Sequence, residues 1–189
     1  MDTLQVFSVK MAEIHGGLQW SLLVFGTVAL RDSVDHNRNV IFDHDRDNYQ
    51  TLTEKQDPCL VLTGPVHGVV LCGCVVLQVS LNVRGTTESE DKEISLLAIQ
   101  FRSDSMPSNS ILINKHYSSR LTTLEFALDH IVYSVEATIS VEIIHGWWPD
   151  GFHGHFAART ARIDKEVVLL DSRGEGCLLL GTVAEDEKK

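Results

Sequence analysis

The 189-residue chain carries 26 acidic and 16 basic side chains, a formal net charge of −10. That excess repels nucleic-acid phosphate and anionic membranes unless basic residues cluster, and here Lys and Arg are scattered without a basic run, so a nucleic-acid groove is disfavoured. A composition of 43% hydrophobic and 22% charged residues excludes wholesale disorder.

The length suffices for one well-buried core. A single β domain over residues 1–184, with a charged tail at 185–189, is the simplest division. Residues 1–15 show no basic leader, continuous apolar stretch or small-residue cleavage site. No run approaches the roughly 20 apolar residues that cross a bilayer. In such a chain Cys59, Cys72, Cys74 and Cys177 are expected as free thiols, and the expected setting is cytoplasmic or nucleocytoplasmic.

In chain order, residues 5–11 predict a first strand with Phe7, Val9 and Met11 on one face and Val6, Ser8 and Lys10 on the other. After the His15-Gly16-Gly17 turn, residues 18–30 form a long apolar run, read as a strand bulged at Gly26. Short strands are expected at 40–42, 49–52, 59–63 and 66–71. Longer ones are expected at 77–83, where Gln78, Ser80 and Asn82 alternate with apolar residues, and at 94–101. Residues 85–91 and 103–110 are loops, 111–113 and 124–128 are further strand pieces, and no long helix or internal repeat is found.

The clearest alternation runs from Tyr133 to Ile143, apolar at odd positions and polar at even ones, and predicts a strand with one core face. Gly146-Trp147-Trp148-Pro149-Asp150-Gly151 reads as a hairpin turn, residues 152–161 as the return limb, and 167–170 and 177–183 as two last strands. The pattern as a whole predicts an all-β, single-domain antiparallel β-sandwich, with closure into a barrel as the alternative.

Chemistry-bearing clusters are few. Asp43, Asp45 and Asp47 have the spacing that opens a calcium loop, with His44 among them. The sixth position lacks Gly and the intervening ligands before Glu54 are missing, so a solvated turn competes with metal binding. His145, His153 and His155 flank the Trp pair, and two His at i and i+2 grip a transition metal, yet no further ligand completes the set. Whether either group binds metal stays open at this level. Cys72-Gly73-Cys74 lacks the Cys-x-x-Cys spacing and a partner pair, which argues against zinc.

No nucleophile elbow, P-loop or dinucleotide fingerprint occurs. Neither catalytic residues nor a cofactor are therefore expected. Trp20, Trp147 and Trp148 raise the question of base stacking beside a carboxylate. Neighbouring strand residues point to opposite faces, so core packing for one of the Trp pair and a partner-facing role for the other is preferred. The candidate interaction surface is the far end of the expected hairpin: Trp147, Trp148, Asp150, His153, His155 and Arg159.

Several words taken together resemble a grass-rich plant domain family of unknown function. They are Gly16-Gly17-Leu18-Gln19-Trp20, His36-Asn37-Arg38-Asn39, Arg46-Asp47-Asn48-Tyr49-Gln50-Thr51-Leu52, Leu60-Val61-Leu62-Thr63-Gly64-Pro65, Gly85-Thr86-Thr87-Glu88-Ser89-Glu90-Asp91, and Trp148-Pro149-Asp150-Gly151 through Phe156-Ala157-Ala158-Arg159-Thr160. The same family resembles the C-terminal part of cereal jasmonate-induced ribosome-inactivating proteins. The resemblance implies a stress or defence setting without an established activity, and it assigns the N-glycosidase chemistry of two-domain relatives to their other domain. Phe156 stands where the toxins' Glu-Ala-Ala-Arg word has its catalytic Glu, so no catalytic residue transfers. The chain departs from the family pattern near Cys72-Gly73-Cys74 and after Gly174, which leaves the closing strands open.

The expectation is thus a non-catalytic binding or regulatory module with a protein partner and no membrane. The alternatives are a ribosome- or nucleotide-directed domain and a metal-dependent binding domain.

Overall fold

The computed structural model describes residues 1–34, 37–56, 58–62, 68–134, 155–160 and 163–171, the last two stretches by backbone alone. In chain order the strands are β1 (Thr3–Ile14), β2 (Leu22–Arg31), β3 (Asn39–His44), β4 (Gln50–Leu52), β5 (Val69–Val70), β6 (Cys74–Val83), β7 (Lys92–Arg102), β8 (Ile111–Ser118), β9 (Thr122–Ile131), β10 (His155–Thr160) and β11 (Ile163–Asp171). The described helical content is two single 3₁₀ turns, at Glu88–Glu90 and Ser103–Ser105.

The chain falls into two units, Met1–Ser134 and Val135–Lys189. In the first, a four-stranded sheet runs β5-β1-β9-β8 and a five-stranded sheet runs β3-β2-β6-β7, with β4 also paired to β2; every described pairing is antiparallel. Leu4, Val9 and Met11 of β1 and Phe126 and Leu128 of β9 share one core with Val24 and Val28 of β2, Phe42 of β3 and Leu77 and Leu81 of β6. Two sheets bury their inner faces against each other, so the fold is an antiparallel sandwich, and the described strands do not close into a barrel.

Side-chain alternation explains most of this, and its exceptions are informative. Strict period two on β1 places Phe7 with Val9 and Met11 and sets Val6 opposite. The structure instead buries Val6 together with Val9 and Met11, because a register shift between Val6 and Ser8 inserts one residue and switches the parity. Gly26 is not a bulge either, since the β2–β6 ladder passes through it in register, from Val24↔Val83 to Arg31↔Val76. Its φ of 125° and a built Cβ that collides with the Ser80 carbonyl oxygen show why Gly is required there: the neighbouring backbone comes too close.

Residues 59–62 form no strand of their own; Cys59 makes an isolated bridge to Lys10. Conversely, β8 runs beyond the expected 111–113 through Lys115, His116 and Tyr117. Tyr117 meets Phe126 edge to face at 5.9 Å, so β8 contributes an aromatic to the core rim.

The strand expected from Tyr133 does not begin there. β9 ends at Ile131, and Tyr133 has φ 52° and is 80% exposed, a turn conformation. Residues 135–143 of that expectation lie outside the described residues. In the second unit β10 pairs with β11, from His155↔Asp171 to Thr160↔Ile163, with two register shifts.

Candidate functional site

A recess of the first unit lies where β1 ends, a cavity of about 390 Å³ walled by Lys10, Met11, Glu13, Trp20, Glu54 and Pro58. Local folding explains how these residues meet. Met11 is buried, and two residues further an unbroken strand would turn Glu13 toward the core as well. A second register shift, between Met11 and Glu13, adds Ala12 to the ladder and sets Glu13 opposite Thr123, where its side chain is 66% exposed.

The chain then turns through Gly16 and Gly17, whose φ values of 65° and 78° suit glycine, and brings Trp20 back against the core edge. The third wall is the segment after β4. Met11 N donates to Pro58 O at 2.8 Å and Leu60 N donates to Val9 O at 2.8 Å, so this segment lies along β1. The Gln50 amide holds it in place, donating to Cys59 O and accepting from Val61 N, both at 2.9 Å.

The polar groups around the recess differ in how far they are engaged. Lys10 Nζ lies 3.6 Å from Glu125 Oε2, and His116 Nε2 lies 3.8 Å from the same oxygen. The lysine is therefore largely balanced by Glu125. Glu13 Oε2 accepts from Thr123 Oγ1 at 3.4 Å and lies 3.6 Å from His15 Nε2. Glu54 lines the recess, is exposed and has no ion pair among the described residues. The recess thus joins an indole to two carboxylates that, among the described residues, form no ion pair with Lys or Arg.

A hydroxyl–imidazole–carboxylate set sits beside it, since Thr123 Oγ1 is 3.2 Å from His15 Nε2 and 3.0 Å from Ser118 Oγ. Nucleophilic catalysis needs the carboxylate on the far ring nitrogen, holding the imidazole as a base toward the hydroxyl. Here both Glu13 and Thr123 approach Nε2, and Thr123 is only 6% exposed. This network orders the strand end and is not arranged as a nucleophile.

The structure places the sequence candidates as follows. Trp147, Trp148, Asp150 and His153, and with them His145, lie outside the described residues. His155 and Arg159 are on the backbone of β10, His155 opposite Asp171.

In the 43–47 stretch the side chains of Asp43, His44, Arg46 and Asp47 have partners in the protein, and Asp45 accepts from Asn48 N through its backbone carbonyl at 3.0 Å. Thr27 Oγ1 donates to Asp43 at 3.2 Å, His44 Nδ1 lies 2.6 Å from Asn48 O, and the His44 ring stacks 4.7 Å from Phe42. Asp47 faces Arg84 at 3.4 Å and Arg46 at 3.9 Å, while Arg84 also covers the Tyr49 ring at 5.0 Å. Arg46 itself reaches Asp91 with Nε at 2.8 Å and Nη2 at 3.3 Å, and Asp91 also accepts from Gly85 N at 2.8 Å. These hydrogen bonds hold the Asp91 carboxyl below its ordinary range and push the Arg46 guanidinium up. Among the described residues no three His, Cys, Asp or Glu side chains are grouped to hold a metal ion.

A second trough of about 480 Å³ runs over the outer face of the five-stranded sheet, between Thr27, Ala29, Gln78, Ser80 and Leu96. Small residues on β2 and β6 leave this face shallow. Among the described residues no helix is long and apolar enough to cross a membrane.

Sequence reasoning noted Trp20 but missed its association with Glu13 and Glu54. Glu54 lies far along the chain from the other two, and between Glu13 and Trp20 only the glycine pair hints at a turn that returns the indole to β1.

The family model described as Domain of unknown function (DUF6598) matches residues 3–184. Comparison with curated proteins gives no match, and neither does comparison with solved structures.

Proposed function

We propose that this chain, which belongs to the family described as Domain of unknown function (DUF6598), is a non-catalytic binding module that docks a basic segment of a protein partner. The observation that carries the reading is the recess at the end of β1, where Trp20 lines a wall beside Glu13 and Glu54. An indole face attracts ammonium and guanidinium groups, and two carboxylates that form no ion pair with Lys or Arg among the described residues add Coulomb attraction. The net charge of −10 steers a cationic partner toward the whole surface and repels a polyanion. A plant setting in stress or defence response is part of the proposal on the strength of the sequence resemblance, and a cytoplasmic location on the expectation that the cysteines are free thiols.

Calorimetric titration of the full chain with short N-acetylated oligoarginine and oligolysine peptides tests it. A cation over one Trp is worth about 0.5–2 kcal/mol, so Trp20→Leu is expected to weaken binding roughly 2- to 30-fold. Glu54→Gln weakens it by a smaller factor, and added salt weakens the wild type further. Equal affinity of wild type and both variants contradicts the reading. Tighter binding of an acidic peptide contradicts it too.

A further inference from the structure

We propose that Cys72 and Cys74 form a reversible intramolecular disulfide on exposure to a hydroperoxide, which makes the turn at Gly73 an oxidation-responsive site. The site is independent of the recess at the end of β1. Both sulfurs are free thiols, Cys72 exposed and Cys74 half-buried at the start of β6.

Two residues apart on a fully extended strand, their Cα atoms would stand roughly 6.6–7.2 Å from each other. That is at or beyond the upper end of the usual disulfide span of about 4.4–6.8 Å. Gly73 changes this. Its φ of 85° bends the backbone into the left-handed region between the two cysteines, and a built Cβ there meets nothing closer than Ser33 Oγ at 3.9 Å.

The bend is fixed from outside the pair. Ser33 Oγ donates to the Cys72 carbonyl, and Ser103 N donates to the Gly73 carbonyl at 3.0 Å. Across the ladder Cys74 pairs with Arg102, whose guanidinium is ion-paired with Asp104 at 2.9 Å. The turn therefore presents one accessible thiol for attack and holds a second, half-buried one across the bend.

In the first step the Cys72 thiolate attacks the peroxide, the O–O bond breaks, and an alcohol or water leaves, giving a sulfenic acid on Cys72. The Cys74 sulfur then attacks that sulfenic sulfur. The S–S bond forms, and the hydroxyl departs as water with the remaining thiol proton. Two thiols lose two electrons in total, and the peroxide takes them up. The small ring so formed is strained, which places it with the labile disulfides that a thiol reductant reopens.

The test treats the reduced full-length protein stepwise with hydrogen peroxide, blocks remaining thiols by alkylation and maps them by mass spectrometry. One equivalent of peroxide per chain is expected to link Cys72 to Cys74, leave Cys59 and Cys177 alkylatable, and be reversed fully by dithiothreitol. In Cys74→Ser the linkage is lost and Cys72 is trapped by dimedone as the sulfenic acid. Hydrogen exchange gives a second readout, because closing the ring pulls on the Gly73 carbonyl and is expected to speed exchange at the Ser103 amide. Sulfinic acid on Cys72 of the wild type, a disulfide to Cys59, Cys177 or another chain, or no loss of thiol overturns the proposal.

Discussion

Gly26→Ala probes the close approach of β2 and β6. The substitution adds one methyl group where φ is 125° and where the new carbon collides with the Ser80 carbonyl oxygen and stands 3.1 Å from Leu81 Cα. Holding an L-residue in a sparsely populated backbone region costs about 1–3 kcal/mol. Forcing a methyl into packed backbone costs about 1–3 kcal/mol more. The sum, about 2–6 kcal/mol, is a large part of the stability of an ordinary domain, about 5–15 kcal/mol. With a urea dependence of about 1–3 kcal/mol per molar, the middle of both ranges is a midpoint lowered by about 2 M.

Gly17→Ala is the control, since φ is 78° there but no atom lies within 4 Å of the added carbon. Only the backbone term remains, about 1–2 kcal/mol. Urea unfolding of both variants followed by far-UV circular dichroism reads the difference directly. The reasoning is refuted if Gly26→Ala unfolds within about 1 kcal/mol of wild type, or no earlier than Gly17→Ala.

Phe126→Ala removes a fully buried ring at the centre of β9 and is expected to lose about 3–5 kcal/mol in the same assay. Asp91→Asn weakens the clamp between the Arg46 turn and the 85–91 loop. Because Asp91 is held below the ordinary carboxylate range in the folded protein, its contribution is present above about pH 4 and fades as pH falls through the lowered value. The variant is therefore less stable than wild type at neutral pH, and the urea-midpoint gap narrows under strong acid.

Burial pushes the Tyr117 phenol above its ordinary range. Its contribution is present below about pH 10 and is lost as pH rises through the raised value, so Tyr117→Phe is expected to show a shallower alkaline loss of stability than wild type. An identical alkaline profile in the two proteins contradicts this.

The fold was legible wherever one face of a strand is apolar. Val75, Leu77, Val79 and Leu81 alternate with less buried residues and give β6 outright, whereas β9 is buried at nearly every position, Asp129 and His130 included, which alternation does not anticipate. What period two does not encode is an inserted residue. Nothing in the local pattern marks Phe7 or Ala12 as extra, because bulges are selected by the partner strand β9, far along the chain. The faces of β1 were misassigned at Val6 for that reason, and the outward turn of Glu13 was invisible for the same one. Gly26 was recognised as special, but sequence does not distinguish a bulge from a backbone contact with β6. Trp20 was legible as a residue to weigh; its neighbours Glu13 and Glu54 were not, since they converge only through a turn, a bulge and the hydrogen bonds of Gln50.

Docking at the recess is read out residue by residue in a backbone amide chemical-shift map of the full chain during titration with acetyl-arginine amide. Shifts are expected to concentrate on Glu13, Trp20 and Glu54, saturate together, and weaken in Trp20→Leu. Shifts gathered instead over the trough around Gln78 and Leu96, or spread evenly over acidic residues without saturation, contradict it.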